Sequence, residues 1–396
     1  MFLGNFSVKD ALKAIFTTNS NMELSIERYI DGNEAVLTSS GRVALYIILK
    51  SLDLNNTDNV LCTSFNCPAV IDAIYSAGVK PRFVDINISF QMDIASFKES
   101  IDPDTKAVIL THAYGVHELD EIVSIAKKYN IVVINDIAQY MHLKGVGLKR
   151  KLKGDFCVYS FERTKPLASF GGGIAVNLTH RYKLKPNFKD VSSKNNLKEL
   201  DQLLKYMISC TLFKTKRGRQ YGIKIGLIPF LKTNIEKTLP TKMEKITDKR
   251  IGTVNLKFLF YLLHKNKEIY RYSQDNYNYI YMYVKKYSPY VRMLPPNMGR
   301  YNYATLIFQS EDSRWIFSKY LAKYGVQTTW LYYPLHKIPI YQTELYLENT
   351  ESLWKKTLSI PFKYPYSRSE MMKICDIIGE IFNKHGREIY GFKIIQ

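Results

Sequence analysis

Between about residues 36 and 178 the chain alternates short apolar runs with amphipathic ones, and this alternation constrains the fold most. Asn59–Cys62, Arg82–Val84, Ala107–Thr111, Ile131–Asn135, Phe156–Ser160 and Gly173–Val176 read as short buried strands. Val43–Leu52, Ala69–Ala77 and Leu119–Tyr129 carry helical spacing. Apolar strands separated by amphipathic helices predict an α/β domain with a mostly parallel sheet. In such sheets ligands sit beyond the carboxyl ends of strands. The residues just after these strands are therefore the first place to look for chemistry.

The last hundred or so residues return to mixed α/β character. A strand is expected near Tyr303–Phe308, a helix at Ser313–Tyr324 and a terminal helix at Ser369–Lys384. A long helix rich in tyrosine is expected over Lys257–Tyr287. This divides the chain into a large domain, 1–250, and a smaller C-terminal α/β domain, 251–396.

Composition adds one question. Hydrophobic residues make up 46% of the 396, which excludes a disordered chain, yet the net charge is +20. Residues 181–296 hold 25 Lys+Arg against 8 Asp+Glu, so 25 − 8 = +17 of that charge is local. Three readings compete for this divergent segment: a solvated lysine-rich surface, a basic amphipathic patch on a membrane over 203–231, or cations that draw in a diphosphate-linked substrate. No nucleic-acid-binding motif accompanies the charge, and nucleic acid is not an expected partner.

The five cysteines, Cys62, Cys67, Cys157, Cys210 and Cys375, are scattered, with no zinc-knuckle spacing. They read as buried or free thiols in a reducing compartment, and no metal is expected. The N-terminus lacks the pattern of a secretory signal, and no run reaches the ~18 apolar residues of a spanning helix. The expected location is the cytoplasm, with the inner membrane face as a peripheral site if 203–231 binds lipid.

Five segments fall at predicted strand ends or turns. They are Ser40-Gly41-Arg42, Ser64-Phe65-Asn66-Cys67, Asn135–Gln139, Ser160–Lys165 and Gly171-Gly172-Gly173. Each alone has an ordinary reading as helix cap, turn, solvated lysine or loop. Their order and spacing resemble the DegT/StrS-type, pyridoxal-phosphate-dependent sugar aminotransferases, a fold-type-I family. The pieces that carry the resemblance are SSGRVAL (39–45), VKPRFVDI (79–86), THAYG (111–115), VVINDIAQ (132–139), GDFCVYSFERTK (154–165) and FGGGIAVN (170–177). TTWLYYPLHKIPIY (328–341) and LSIPF (358–362) extend it into the C-terminal part.

The chemistry of pyridoxal 5′-phosphate (PLP) gives independent reasons for these residue types. The cofactor needs a lysine amine, for which Lys165 is the candidate. Its pyridine nitrogen must stay protonated, which a buried carboxylate such as Asp136 favours. Ala138 is small enough to let the ring lie against the strand end, and Gln139 could donate to the phenolate oxygen. The phosphate needs backbone N–H groups at a helix start plus a hydroxyl or a cation, which Gly41, Arg42 and Ser160 could supply. The family usually has Thr where this chain has Arg42, His where it has Glu162, and a ring-stacking aromatic where it has Cys67. Strand alternation puts Phe65 on the same side as Cys67.

By the same resemblance, Tyr333 and His336 fall in a turn that approaches the substrate. Asn255 corresponds to an asparagine that reaches a neighbouring subunit's PLP phosphate, implying a homodimer with the active site at its interface. The implied reaction moves an amino group from glutamate to a keto group of a nucleotide-linked sugar, in surface polysaccharide or glycoconjugate biosynthesis. The alternatives are a PLP enzyme acting on a non-sugar carbonyl, or a degenerate PLP fold serving as a binding or membrane-surface protein. Retention of Lys165 argues against the family's dehydratase branch, where His replaces it.

Overall fold

A computed structural model describes residues 8–390, apart from 18–21, 31, 33, 116–118, 141–142, 145, 147–151, 163, 189–196, 198, 206–238, 289, 297–301, 327, 342 and 363–366. Most of the 203–231 stretch read as a membrane patch, and Cys210, lie outside the described residues. Two short helices, α1 (Val8–Ile15) and α2 (Met22–Glu27), lead into β1 (Glu34–Thr38). Then follow α3 (Gly41–Lys50), β2 (Asn59–Thr63), α4 (Pro68–Ser76), β3 (Lys80–Val84), α5 (Ile94–Ser100) and β4 (Thr105–Thr111). The run ends with α6 (Asp120–Lys128), β5 (Val132–Asp136), β6 (Phe156–Ser160) and β7 (Gly173–Asn177).

These strands form one seven-stranded sheet in the order β1-β7-β6-β5-β4-β2-β3. β2 to β6 pair in parallel, and β7 runs antiparallel to both of its neighbours. Strand alternation sorts the side chains between two covered faces. Cys62, Ile109, Ile134 and Val158 pack with α3 and α4 residues such as Ile47 and Ile74. Leu61, Val108, Leu110 and Val133 pack with Phe97 of α5 and with Ile122 and Ala126 of α6. Two-sided burial explains why the strands read as continuous apolar runs. It also explains the thiols: Cys62, Cys157 and Cys375 are buried and unbridged, and burial pushes Cys62 up to about 12.

The expected helix over Lys257–Tyr287 is two helices, α7 (Thr253–His264) and α8 (Asn266–Val284), broken at Lys265. Apolar periodicity alone could not find this break, because each half faces a different core. Phe258, Leu259, Leu262 and Leu263 of α7 join Ala11, Ile26 and Ile174 beneath the large sheet. Tyr277, Ile280 and Val284 of α8 join the C-terminal core. The domain boundary expected at 250/251 thus falls ahead of α7, whereas the core changes at Lys265. There the ammonium pairs with Asp10 at 3.0 Å.

Beyond α8 come β8 (Val291–Met293), β9 (Tyr303–Phe308), α9 (Glu311–Lys323), α10 (Glu348–Lys356), β10 (Thr357–Pro361) and α11 (Arg368–Tyr390). β10, β9 and β8 form a three-stranded antiparallel sheet, covered by α8, α9 and α11. Leu335, Ile338 and Tyr341 of the intervening segment pack into the large-domain core beside α3 and α4. Among the described residues, no helix is long and apolar enough to cross a membrane.

Candidate active site

Sheet register assembles the site. Ser160 at the end of β6 lies opposite Gly173, and so does Thr38 at the end of β1, while Ser40 bridges Gly172. Three stretches of backbone therefore converge where α3 begins. A Cβ on Gly41 would lie 2.7 Å from Ser160 Cβ, and one on Gly173 would lie 2.4 Å from Gly41 N. Glycine at both positions is what permits this approach. Ser40 caps α3 by accepting the Val43 N–H at 3.3 Å. The helix start, Ser160 and the small residues around them form a cradle suited to an anion.

One strand over, β5 ends on Asp136, which is 8% exposed. Its carboxylate accepts the Ala138 N–H at 3.0 Å. Burial pushes this carboxyl above its ordinary value, while the Ala138 N–H and the charge of Lys165 pull it back. Lys165, itself 9% exposed, thus lies within the electrostatic reach of Asp136. The lysine sits on the loop after β6, where its N–H donates to Glu162 O at 2.8 Å. The preceding carbonyl, on Thr164, accepts from Asn302 Nδ2 at 3.0 Å. Asn302 is buried and lies just before β9, so the C-terminal domain braces the lysine loop. Nothing in the sequence around Asn302 signals this contact.

The other candidates divide. Gln139 is buried beside Asp136, and its Nε2 donates to the Tyr332 hydroxyl. Its Oε1 is buried without a partner among the described residues. Cys67 is half-buried at the head of α4, with a free thiol. Phe65, expected beside the cofactor ring, is 1% exposed instead. It is committed to an aromatic cluster with Phe90, Tyr114 and Tyr332, with centroids 5.3, 6.4 and 5.5 Å away.

Arg42, expected to donate to phosphate, is ion-paired with Glu244 and lies 3.7 Å from Asp72. Those carboxylates hold its side chain away from the cradle role. Asn255 lies on α7 of the same chain, where Nδ2 donates to Glu199 at 2.7 Å. A Cβ on Gly171 would lie 3.2 Å from that Nδ2, so Asn255 borders its own glycine loop. Both Arg42 and Asn255 line a cavity of about 340 Å³, together with Ser39, Gly171, Lys249 and Arg250.

His336 is fully buried. Its Nδ1 meets Ser64 Oγ at 2.6 Å and its Nε2 meets Glu351 Oε1 at 3.2 Å. Both ring nitrogens are thus engaged within the protein. Burial keeps its pKa below the usual value despite the carboxylate. Tyr333 is half-buried and packs edge-on against Trp354.

The donor set fits pyridoxal phosphate. A desolvated carboxylate is suited to a protonated ring nitrogen, a buried lysine lies in its field, and an anion cradle stands one strand away. Gly41, Ser160, Asp136, Gln139 and Lys165 would hold the group. A mostly parallel sheet with one reversed strand, this edge constellation and a smaller antiparallel-sheet domain define a fold-type-I PLP-transferase architecture.

Comparison with known proteins agrees. The DegT/DnrJ/EryC1/StrS aminotransferase family matches residues 9–193. The chain is 25% identical to the GDP-perosamine synthase of Escherichia coli O157:H7, over 88% of this chain and 86% of that one. It is 34% identical to the "Pleiotropic regulatory protein" of Geobacillus stearothermophilus, but over only 38% of this chain and 41% of the relative's length. Among solved structures, PseC of Helicobacter pylori superposes with a TM-score of 0.70 at 16% identity, covering 97% of this chain and 99% of PseC. DesI in the presence of its TDP-sugar product gives 0.71 at 17%, covering 98% and 93%. The chain is similar to this family over just under half of its length.

Proposed function

We propose that this protein is a PLP-dependent aminotransferase that moves an amino group from glutamate to a keto group of a nucleotide-linked sugar, for surface polysaccharide or glycoconjugate assembly. The observation that carries the reading is the joint burial of Asp136 and Lys165 at the carboxyl edge of the sheet, beside the Gly41–Ser160–Gly173 convergence. The relatives named for GDP-perosamine and for TDP-sugar chemistry support the substrate class.

When bound, the cofactor supplies an electron sink for the carbon that gains or loses the amino group. The chain's own groups have separable tasks. Asp136 accepts a hydrogen bond from a ring nitrogen and keeps it protonated. Gly41 N–H and Ser160 Oγ hold the phosphate. The Nζ of Lys165 takes the proton from the donor's Cα and returns one to the sugar carbon. Tyr333 lines the sugar side, and Asn255 completes the site across a homodimer interface.

The test combines three measurements on the purified protein. Borohydride treatment in the presence of PLP should fix the cofactor on the peptide containing Lys165. Glutamate should then discharge the bound cofactor, and a panel of nucleotide keto sugars should restore it. Failure of the trapping defeats the cofactor reading. Restoration by non-sugar carbonyls alone defeats the sugar reading.

A further inference from the structure

Four described non-glycine residues adopt positive φ: Asp53, Phe90, Asn130 and Tyr332. Asparagine and aspartate tolerate that conformation, but bulky aromatics rarely do. Both aromatics, Phe90 at 61° and Tyr332 at 50°, pack on one ring, that of Phe65. Among the described residues, the two aromatics with left-handed backbone therefore share a single cluster. That cluster lies beside Gln139, and strain of this kind collects where surrounding structure imposes it for function.

Tyr332 is the member that leaves the cluster to reach the site. Its ring stands at 90° to Phe65, and its hydroxyl oxygen accepts the Gln139 Nε2 hydrogen. It belongs to the C-terminal segment, whereas Gln139 follows β5 in the large domain. The left-handed turn at 332 is what brings a residue 193 positions away onto this amide. One hydrogen of the Gln139 NH₂ is thereby fixed, which sets the rotation of the whole amide plane. The second N–H and the unpartnered Oε1 are then fixed in direction as well.

We propose that Tyr332 is a positioning residue. It orients the Gln139 amide toward the cofactor's phenolate oxygen and so couples the C-terminal domain to the cofactor site. Its role runs through the Gln139 amide. The inference rests on the PLP reading above, and its test separates the two.

The experiment measures PLP affinity by fluorescence quenching and records the visible band of the bound cofactor. The proteins are wild type, Tyr332→Phe, Gln139→Ala and the double variant, each with a melting temperature. Phenylalanine keeps the ring packing and loses only the hydroxyl. Tyr332→Phe should raise the PLP dissociation constant about five-fold and shift the band, as expected for one lost orienting hydrogen bond. Gln139→Ala should raise it about ten-fold, and the double variant should be no worse, because the two residues act as one unit. Wild-type affinity and an unmoved band in Tyr332→Phe would overturn the proposal, as would effects that multiply in the double variant. If wild type binds no PLP, the cofactor reading itself fails.

Discussion

The edge of the large sheet and the C-terminal segment from 328 to 362 both border the site, but they reach it by different means. At the sheet edge, strand register sets the positions: Asp136 and Ser160 end β5 and β6, and Gly173 begins the adjacent antiparallel β7. The C-terminal segment contributes through single contacts made by irregular backbone. Leu335 N–H donates to Ser64 O at 3.0 Å, the His336 backbone N–H donates to the Ser64 hydroxyl at 3.2 Å, and Tyr332 accepts from Gln139. A register is held by many ladder bonds at once, so one side chain there can be changed without moving its neighbours. A strap held by single contacts should behave in the opposite way. Substitutions at the edge should damage chemistry and spare the fold, and substitutions in the strap should do the reverse.

The largest expected effect is at Lys165. Lys165→Ala removes the group assigned to proton transfer and should lower kcat by about 1,000-fold or more. Purified variant and wild type can be compared with glutamate in single turnovers. A loss of less than ten-fold would mean that the edge does not carry the chemistry.

Asp136 is next, and it has a signature in pH. Burial raises its folded pKa above the unfolded one, so the folded state holds the extra proton. The stability this group contributes is present below the ordinary carboxylate pKa and is lost as pH rises through the raised value. Without cofactor, Asp136→Asn should therefore remove that loss and leave the chain at least as stable as wild type at neutral pH. With cofactor, the variant should lose on the order of 100-fold in kcat, because a ring nitrogen no longer faces a negative charge. Urea unfolding across pH checks the first claim and steady-state kinetics the second. An apo variant much less stable than wild type would break the contrast between edge and strap.

The same contrast explains what could be read from sequence. A strand buried on both faces leaves a local apolar signature, so β2 to β7 were legible within a few residues, and the site residues followed because they terminate strands. Asp136 ends a strand and followed from that logic, whereas Lys165 lies in the loop beyond β6 and was singled out through the family resemblance of GDFCVYSFERTK. Phe65, Arg42 and His336 needed knowledge of partners far along the chain: Tyr332, Glu244 and Glu351. Their side chains are claimed by those partners, and periodicity says nothing about such claims. Asn302 and Tyr332 were invisible for the same reason, since one braces Thr164 and the other grips Gln139 across sequence gaps of 138 and 193. The Lys265 break was missed because two helices with similar apolar content serve different cores.

In the strap, His336 should show the reverse pattern. His336→Ala leaves Ser64 and the buried Glu351 short of partners and should cost about 2–4 kcal/mol. The acid limb carries the sign. The folded state resists protonating His336, so the unfolded chain binds the extra proton as pH falls below the ordinary histidine value. Wild type should lose stability over that range, and the variant should lose less. Glu351 adds a second acid-side loss: burial pushes its carboxyl up, but Lys337 and His336 outweigh this and hold it below the usual range. Denaturation at pH 7 and pH 5 separates the histidine component. A wild-type stability that is flat between those values would remove His336 from the account.

The smallest expected effect falls where the two regions nearly meet, at Cys67. This residue is the N-cap of α4, with extended backbone (φ −79°, ψ 136°) and Pro68 in the first turn. The geometry is that of a capped helix, yet no side-chain cap bond is made. A thiol is a weak acceptor, so the first N–H groups of α4 gain little from it. Cys67→Ser places an oxygen at the same position and should stabilise the chain by about 0.5–1 kcal/mol. If Cys67 only borders the cofactor, PLP affinity and kcat should stay within about two-fold of wild type, because serine keeps the volume and adds no charge. A gain in stability with unchanged kinetics makes residue 67 a matter of helix capping. A large kinetic loss would instead place the thiol against the reacting groups, and the edge would then extend two strands further than Asp136, to β2.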